Sequence, residues 1–210
     1  GCIAYALRKA GIPVDKYIGV DSDSDKMNVR GIADHMNPIG EGFPGISREF
    51  GHDIEAITEE MVREAGPIHF IVGGPPCQDL SKARLMPDKW GKPGKPGDGF
   101  KGATGRLFPV FVKIIGWVRK YNPDVRFLVE NCQFDHLKDD WQQAKQWLGE
   151  PTLIDAKRFS FSRRSRAYWT NIDLPKGWDT PVVTDRRQGP LLDDGWKPAQ
   201  RWATITATWI

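Results

Sequence analysis

Several side chains in this sequence stand where they could make and break bonds. Cys77 closes the run Gly73-Gly74-Pro75-Pro76-Cys77, directly after the apolar stretch 68–72. Glycines let a backbone turn sharply, and prolines fix the direction of the next residue, so the run suits presentation of a sulfur nucleophile. Lys82 and Arg84 lie close behind and would favour its thiolate. Glu130 ends a second apolar stretch, Phe127-Leu128-Val129. A carboxyl kept partly neutral by burial there can protonate or hydrogen-bond a substrate nitrogen. Arg164 and Arg166 alternate within Ser162-Arg163-Arg164-Ser165-Arg166, so a strand would aim both at one side. Asp21 ends a third apolar run, 17–20, where a carboxylate can accept from ribose hydroxyls. Taken singly, each has a plainer reading: a buried inert cysteine, a salt-bridged carboxylate, a solvated basic strand.

Their positions depend on the elements that carry them. Apolar spacing predicts helices over 5–10, 23–35, 55–65, 107–117 and 141–148, with Ser22 or Asp23 capping the second. It predicts strands over 17–20, 68–72, 127–129, 152–156, 159–161 and 168–172, and a long loop over 82–103. Alternating strands and helices give an α/β domain with a mostly parallel sheet, in which ligands bind beyond the carboxyl ends of the strands. Asp21, Cys77 and Glu130 each come after a predicted strand, which points to one shared crevice.

The bulk properties narrow the field. At 210 residues with 40% hydrophobic and 27% charged content, the chain has the composition of an ordinary globular domain. No apolar run approaches the length of a membrane span, and Gly1-Cys2-Ile3-Ala4 is not a secretory leader. Cysteines at 2, 77 and 132 form no C-x-x-C, which disfavours a zinc cluster or disulfide framework and fits an intracellular setting. Net charge is only +3, but it is unevenly spread: residues 82–101 carry about +4 and 157–166 about +5. Both basic stretches adjoin a candidate motif, as nucleic acid would require. Gly97-Asp98-Gly99-Phe100-Lys101-Gly102 spells G-x-G-x-x-G, yet no strand precedes it, so the dinucleotide reading fails. Pro76-Cys77 lacks the C-x-x-C and H-x-E of a zinc nucleobase deaminase.

The run from Gly73 to Ser81, the Glu130-Asn131 pair and the arginine cluster come in the order of three motifs of the DNA cytosine-5 methyltransferases. The chain resembles that family over nearly its whole length, most closely the de novo-type enzymes, through Gly102-Ala103-Thr104-Gly105-Arg106-Leu107-Phe108. Ser162 replaces a glutamine of the family pattern, Cys132 a valine, and the insert at 86–99 departs from the animal enzymes. Gln78 and that insert suit a microbial or viral relative, where restriction-modification is a natural setting.

The resemblance implies a Rossmann-like fold, S-adenosylmethionine as methyl donor and double-stranded DNA as partner, with no metal and no membrane. It implies Cys77 as nucleophile, Glu130 at the base, Arg166 near its O2, and Arg164 steadying the catalytic loop or a phosphate. Asp21, Ser22, Asp53, Ile54 and Pro75 would meet the cofactor; Ser81, Lys82, Arg84, Arg106 and Arg201 would meet DNA. Residues 1–174 would form the catalytic domain and 175–210 part of a target-recognition region. The family's Phe-x-Gly strand would lie upstream of Gly1 and its last motif downstream, which predicts a segment of a longer chain, unstable alone. An RNA cytosine methyltransferase or a non-catalytic paralogue are the rivals, and the sequence leaves the oligomeric state open.

Overall fold

The computed structural model describes residue 7 and residues 10–22, 46–47, 49–87, 91–158, 164–174 and 177. The expected helix over 23–35, most of that over 5–10, the strand at 159–161 and the region beyond 177 lie outside the described residues. The chain forms two compact units, Gly1–Val72 with Leu107–Val125, and Gly73–Arg106 with Arg126–Ile210.

In the first unit, β1 (Tyr17–Ile18) pairs in parallel with β2 (Ile46–Ser47). Helix α1 (Glu59–Glu64) and helix α2 (Leu107–Tyr121) come next. The expected helix over 55–65 is two pieces, a 3-10 turn at Ile54–Ala56 and then α1. Thr58 divides them, because its hydroxyl accepts from the Met61 N–H and starts a new helix. In α2 the buried positions are Phe108, Phe111, Ile114, Ile115 and Val118, the three-and-four spacing of one helix face. Pro109 is tolerated because it sits in the first turn, where its missing N–H has no helical partner. Ile114 and Val118 join Phe50, Ile57, Val62 and Val125 in one apolar core. Strand β3 (Phe70–Gly73) then carries the chain into the second unit.

The second unit holds β4 (Arg126–Cys132), α3 (Lys138–Leu148), β5 (Thr152–Asp155) and β6 (Ser165–Thr170). Strand β6 lies antiparallel to both β4 and β5, so β4 and β5 run in one direction with β6 returning between them. The βαβ connection through α3 keeps the parallel sense that the sequence predicts. The return strand breaks it, for a physical reason. Only nine residues separate β5 from β6, and a parallel crossover needs a dozen or more.

One face of this sheet is dry. Val129 opposes Trp169 and Asn131 opposes Ala167, and all four are buried. Phe134 and Trp141 pack edge-on at 4.9 Å, and Trp141 meets Trp169 at 5.6 Å. These large rings pack the sheet against α3.

Candidate active site

Side chains alternate along β4, so Glu130 and Cys132 leave the sheet on the side opposite Val129 and Asn131. Across the ladder, Glu130 opposes Tyr168 and Cys132 opposes Arg166. Directly opposed residues share a face. The register therefore gathers a carboxylate, a thiol, a guanidinium and a phenol on one side of two strands. Arg166 Nε reaches Glu130 Oε1 at 2.8 Å, and its Nη1 donates to the Ser165 carbonyl.

Cys77 reaches the same cluster from a loop. The Leu80 N–H donates to the Cys77 carbonyl at 3.0 Å, closing a tight turn that begins at Cys77. Asn131, 1% exposed, donates through Nδ2 to the Pro75 carbonyl at 2.9 Å. Its Oδ1 accepts from the Cys132 N–H. One buried amide thus ties the proline run to the end of β4. Gly74 explains itself here, since a Cβ at that position would stand 3.1 Å from Glu130 Oε2.

The Cys77 thiol is pulled down from its ordinary value to about 6. The neighbouring Cys132 thiol is the main cause; burial opposes it, the Arg166 guanidinium assists, and the Glu130 charge opposes. Cys132 is pushed up by the same contact and by burial. Cys77 is only half-buried, whereas Cys132 is buried. A thiolate at neutral pH is the reactive form of cysteine. Burial, and after it the Glu130 charge, raises the Tyr168 phenol, which stays protonated and able to donate.

The remaining expected residues are scattered more widely. Arg164 precedes β6 and is exposed; its backbone N–H donates to Asp155 Oδ1, while Arg166 alone pairs with Glu130. Arg164 shares the alternation of Arg166, and it is close enough for its charge to act on Tyr168. In the first unit, Asp21 and Ser22 are exposed just after the β1 segment. Asp53 is exposed, and its Oδ1 caps the turn that begins at Ile54 by accepting from the Glu55 N–H at 2.8 Å. Ile54 packs against the apolar core of that unit. Pro75 lies half-buried in the nucleophile loop.

The expected DNA contacts hold local posts. Ser81 caps a 3-10 turn over Lys82–Leu85, its hydroxyl accepting from the Ala83 N–H. Lys82 pairs with Asp135 at 2.5 Å and Arg84 with Asp79 at 2.5 Å. Exposed Arg106 donates to the Ala103 carbonyl at 2.7 Å. Arg201 lies outside the described residues. Lys82 and Arg84 each keep further N–H donors beside the carboxylate they pair with.

Sequence reasoning misses four contributors. Asn131 is visible only as half of a motif, and its amide role needs the loop geometry. Tyr168 could be found from the strand register opposite Glu130. Cys132, read as an apolar exchange, is the main influence that lowers the Cys77 thiol. Asp79 gives no signal except the glycines that surround it in space. Among the described residues no group of His, Cys, Asp and Glu could hold a metal ion, and no helix is long and apolar enough to cross a membrane.

Known proteins share this fold. A crystal structure of the S. pombe Dnmt2 methyltransferase superposes with a TM-score of 0.51 at 15% identity, covering 88% of this chain and 53% of that one. An E. coli prophage protein described as a DNA modification methyltransferase gives a TM-score of 0.47 at 17% identity, over 81% of this chain and 45% of its own. The chain therefore spans about half the length of these solved structures. The first likeness supports the Rossmann-like methyltransferase fold. The sequence profile of the C-5 cytosine-specific DNA methylases matches residues 45–150, which contain both Cys77 and Glu130. That match extends over half of the sequence, and the chain belongs to the C-5 cytosine-specific DNA methylase family.

Proposed function

We propose that the protein transfers a methyl group to C5 of cytosine in double-stranded DNA, inside the cell, through a covalent bond between Cys77 and C6. The observation that carries this reading is the Cys77 loop held against the Glu130–Arg166 pair, with Asn131 tied to the Pro75 carbonyl and Gly74 close against the Glu130 carboxylate. A cytosine inside a duplex hides C6 within the base stack, so the base has to be extruded before sulfur can reach it. The Cys77 thiolate then adds to C6, forming the S–C6 bond and shifting the C5–C6 π pair toward C5. As N3 takes up a proton, Glu130 accepts a hydrogen bond from the N3–H and makes the ring a better electrophile; N3 gives that proton up again when the ring is restored. Arg166 orients that carboxylate and lies within reach of the base carbonyl at O2; Arg164 steadies the catalytic loop or a phosphate. S-adenosylmethionine, when bound, supplies the electrophilic methyl group that C5 takes up. Loss of the C5 proton to solvent returns its electron pair to the ring, and the C6–S bond breaks to release the thiolate. Splitting one difficult substitution into addition and elimination is the gain from a covalent nucleophile.

The residues of the first unit suit that cofactor chemically. Asp21 offers an exposed carboxylate for ribose hydroxyls, with Ser22 beside it. Asp53 and Ile54 pair an acceptor with an apolar surface, as an adenine needs. Pro75 is proposed as a further cofactor-binding residue. Ser81, Lys82, Arg84, Arg106 and Arg201 are proposed to contact DNA, with residues 1–174 catalytic and 175–210 contributing to target recognition. Methyl incorporation into duplex DNA, with Cys77→Ala as the control, tests the proposal. Label in duplex DNA that disappears in the variant supports it, whereas label entering RNA alone moves the substrate to RNA.

A further inference from the structure

Two residues past the nucleophile, Asp79 is 7% exposed, and few carboxylates are so deeply buried without an elaborate set of partners. Its Oδ2 accepts from the Thr104 N–H at 2.9 Å, the Thr104 hydroxyl at 2.7 Å and the Gly105 N–H at 3.3 Å. Its Oδ1 accepts from Arg84 at 2.5 Å. Its backbone carbonyl accepts from the Gly99 N–H. The far segment, 97–105, is shaped to fit it. A Cβ at Gly97 would stand 2.1 Å from the Asp79 carbonyl oxygen, and one at Gly102 2.4 Å from its carboxyl carbon. Of the glycines that spell the false dinucleotide motif, Gly102 makes room for this carboxylate and Gly97 for the Asp79 backbone, while a Cβ at Gly99 would meet the Asp140 carboxylate.

Asp79 also belongs to the turn that Cys77 opens, since the Leu80 N–H donates to the Cys77 carbonyl and Leu80 is fully buried. Whatever holds Asp79 therefore holds the backbone of the nucleophile. We propose that Asp79 is a positioning residue: its buried carboxylate clamps the 97–105 segment onto the Cys77 turn and thereby fixes the sulfur beside Cys132, Glu130 and Arg166. This rests on Cys77 being the nucleophile of the proposed reaction. Asp79 touches no reacting atom and acts through the turn.

Two opposed effects make the test decisive. Removing a nearby anion lowers a thiol's pKa, whereas letting the sulfur drift from Cys132 and Arg166 raises it. Asp79→Asn keeps the shape, and Thr104→Val removes one donor while leaving the carboxylate in place. For each purified protein the experiment measures kcat and KM on duplex DNA, and the pH profile of Cys77 alkylation by iodoacetamide, read on the Cys77 peptide by mass spectrometry. The clamp predicts that kcat falls about tenfold to hundredfold in Asp79→Asn, as a small misplacement of a reacting group does, with KM within about twofold. Thr104→Val falls less, and in both the alkylation midpoint moves upward. An unmoved or lowered midpoint, or a loss confined to KM or to melting temperature, overturns the proposal. Should Asp79→Asn not fold, Thr104→Val decides by the same criteria. If the wild type alkylates normally but methylates no duplex DNA, the proposed activity fails, and the alkylation profiles still decide the role of Asp79.

Discussion

Arg166 Nε lies 2.8 Å from Glu130 Oε1, although the two residues are not directly opposed in the ladder; Arg166 faces Cys132, and Glu130 faces Tyr168. The guanidinium therefore reaches diagonally across two strands, and its charge also acts on the Cys77 sulfur. One cation acts on both the Glu130 carboxylate and the Cys77 sulfur. A diagonal reach of this kind is within the span of a long side chain on a pleated sheet.

Arg166→Lys keeps the charge but loses the planar fork that can hold a carboxylate and a second acceptor together. Activity should fall by about tenfold or more. Arg166→Leu removes the charge as well, and should in addition raise the Cys77 alkylation midpoint. Steady-state rates and iodoacetamide profiles separate the two effects.

Acid should silence the nucleophile in a defined window. The Cys77 thiol is lowered to about 6, so thiolate predominates above that pH and is lost as pH falls through it. Iodoacetamide rates between about pH 5 and 9 should trace a rise centred near the same value. Cys132→Val, which fills similar space without an S–H, should move the rise toward the ordinary thiol range.

Many of these features are legible in the amino-acid order alone, and those that are not have a common cause. The apolar runs behind Cys77 and Glu130, the α2 stripe of Phe108, Phe111, Ile114 and Val118, and the order of the motifs are local features of the chain. Local patterns announce elements. What they leave open is which strand returns beside which. Placement of β6 between β4 and β5 puts Tyr168 opposite Glu130, and no periodicity encodes that pairing. The break at Thr58 is similarly hidden, because helical spacing continues across a residue whose hydroxyl restarts the helix. Asp79 illustrates the same limit in side-chain terms. Its partners Thr104 and Gly105 lie 25 and 26 positions away, so its burial cannot be read from its neighbours.

Glycines give two opposite predictions. Gly102→Ala would drive a methyl group to 2.4 Å from the Asp79 carboxyl carbon, against a group fixed by three hydrogen bonds from the same loop. It should cost about 1–3 kcal/mol or more. Gly116→Ala, in α2 with nothing within 4 Å of the added carbon, should instead stabilise by about 0.5–1 kcal/mol. Urea melts of both variants provide the check.

The buried carboxylate should also leave a mark on acid stability. Asp79 is lowered from the ordinary value of 3.8, chiefly by the Thr104 N–H and hydroxyl. Its contribution is complete above that unfolded value and is lost as pH falls through the lower native one. The stability gap between wild type and Asp79→Asn should therefore be constant at neutral pH and shrink below about pH 4. A gap unchanged into strong acid would show that the charge contributes nothing.

Gly74→Ala tests the closeness of loop and carboxylate. The added carbon would press on Glu130 Oε2 from 3.1 Å. The expected result is a loss of kcat of about tenfold with little change in melting temperature, because a small displacement of a reacting group suffices.

The proposed chemistry turns on the covalent bond from Cys77 to a cytosine ring. Duplex DNA carrying 5-fluorocytosine offers the most direct measurement, because fluorine cannot leave C5 as a cation and the elimination step is blocked. Incubated with that DNA and S-adenosylmethionine, the protein should yield a stable complex whose digest shows the methylated fluoropyrimidine on the Cys77 peptide. A protein that methylates ordinary duplex DNA yet forms no such adduct, or forms it on another residue, would contradict the account.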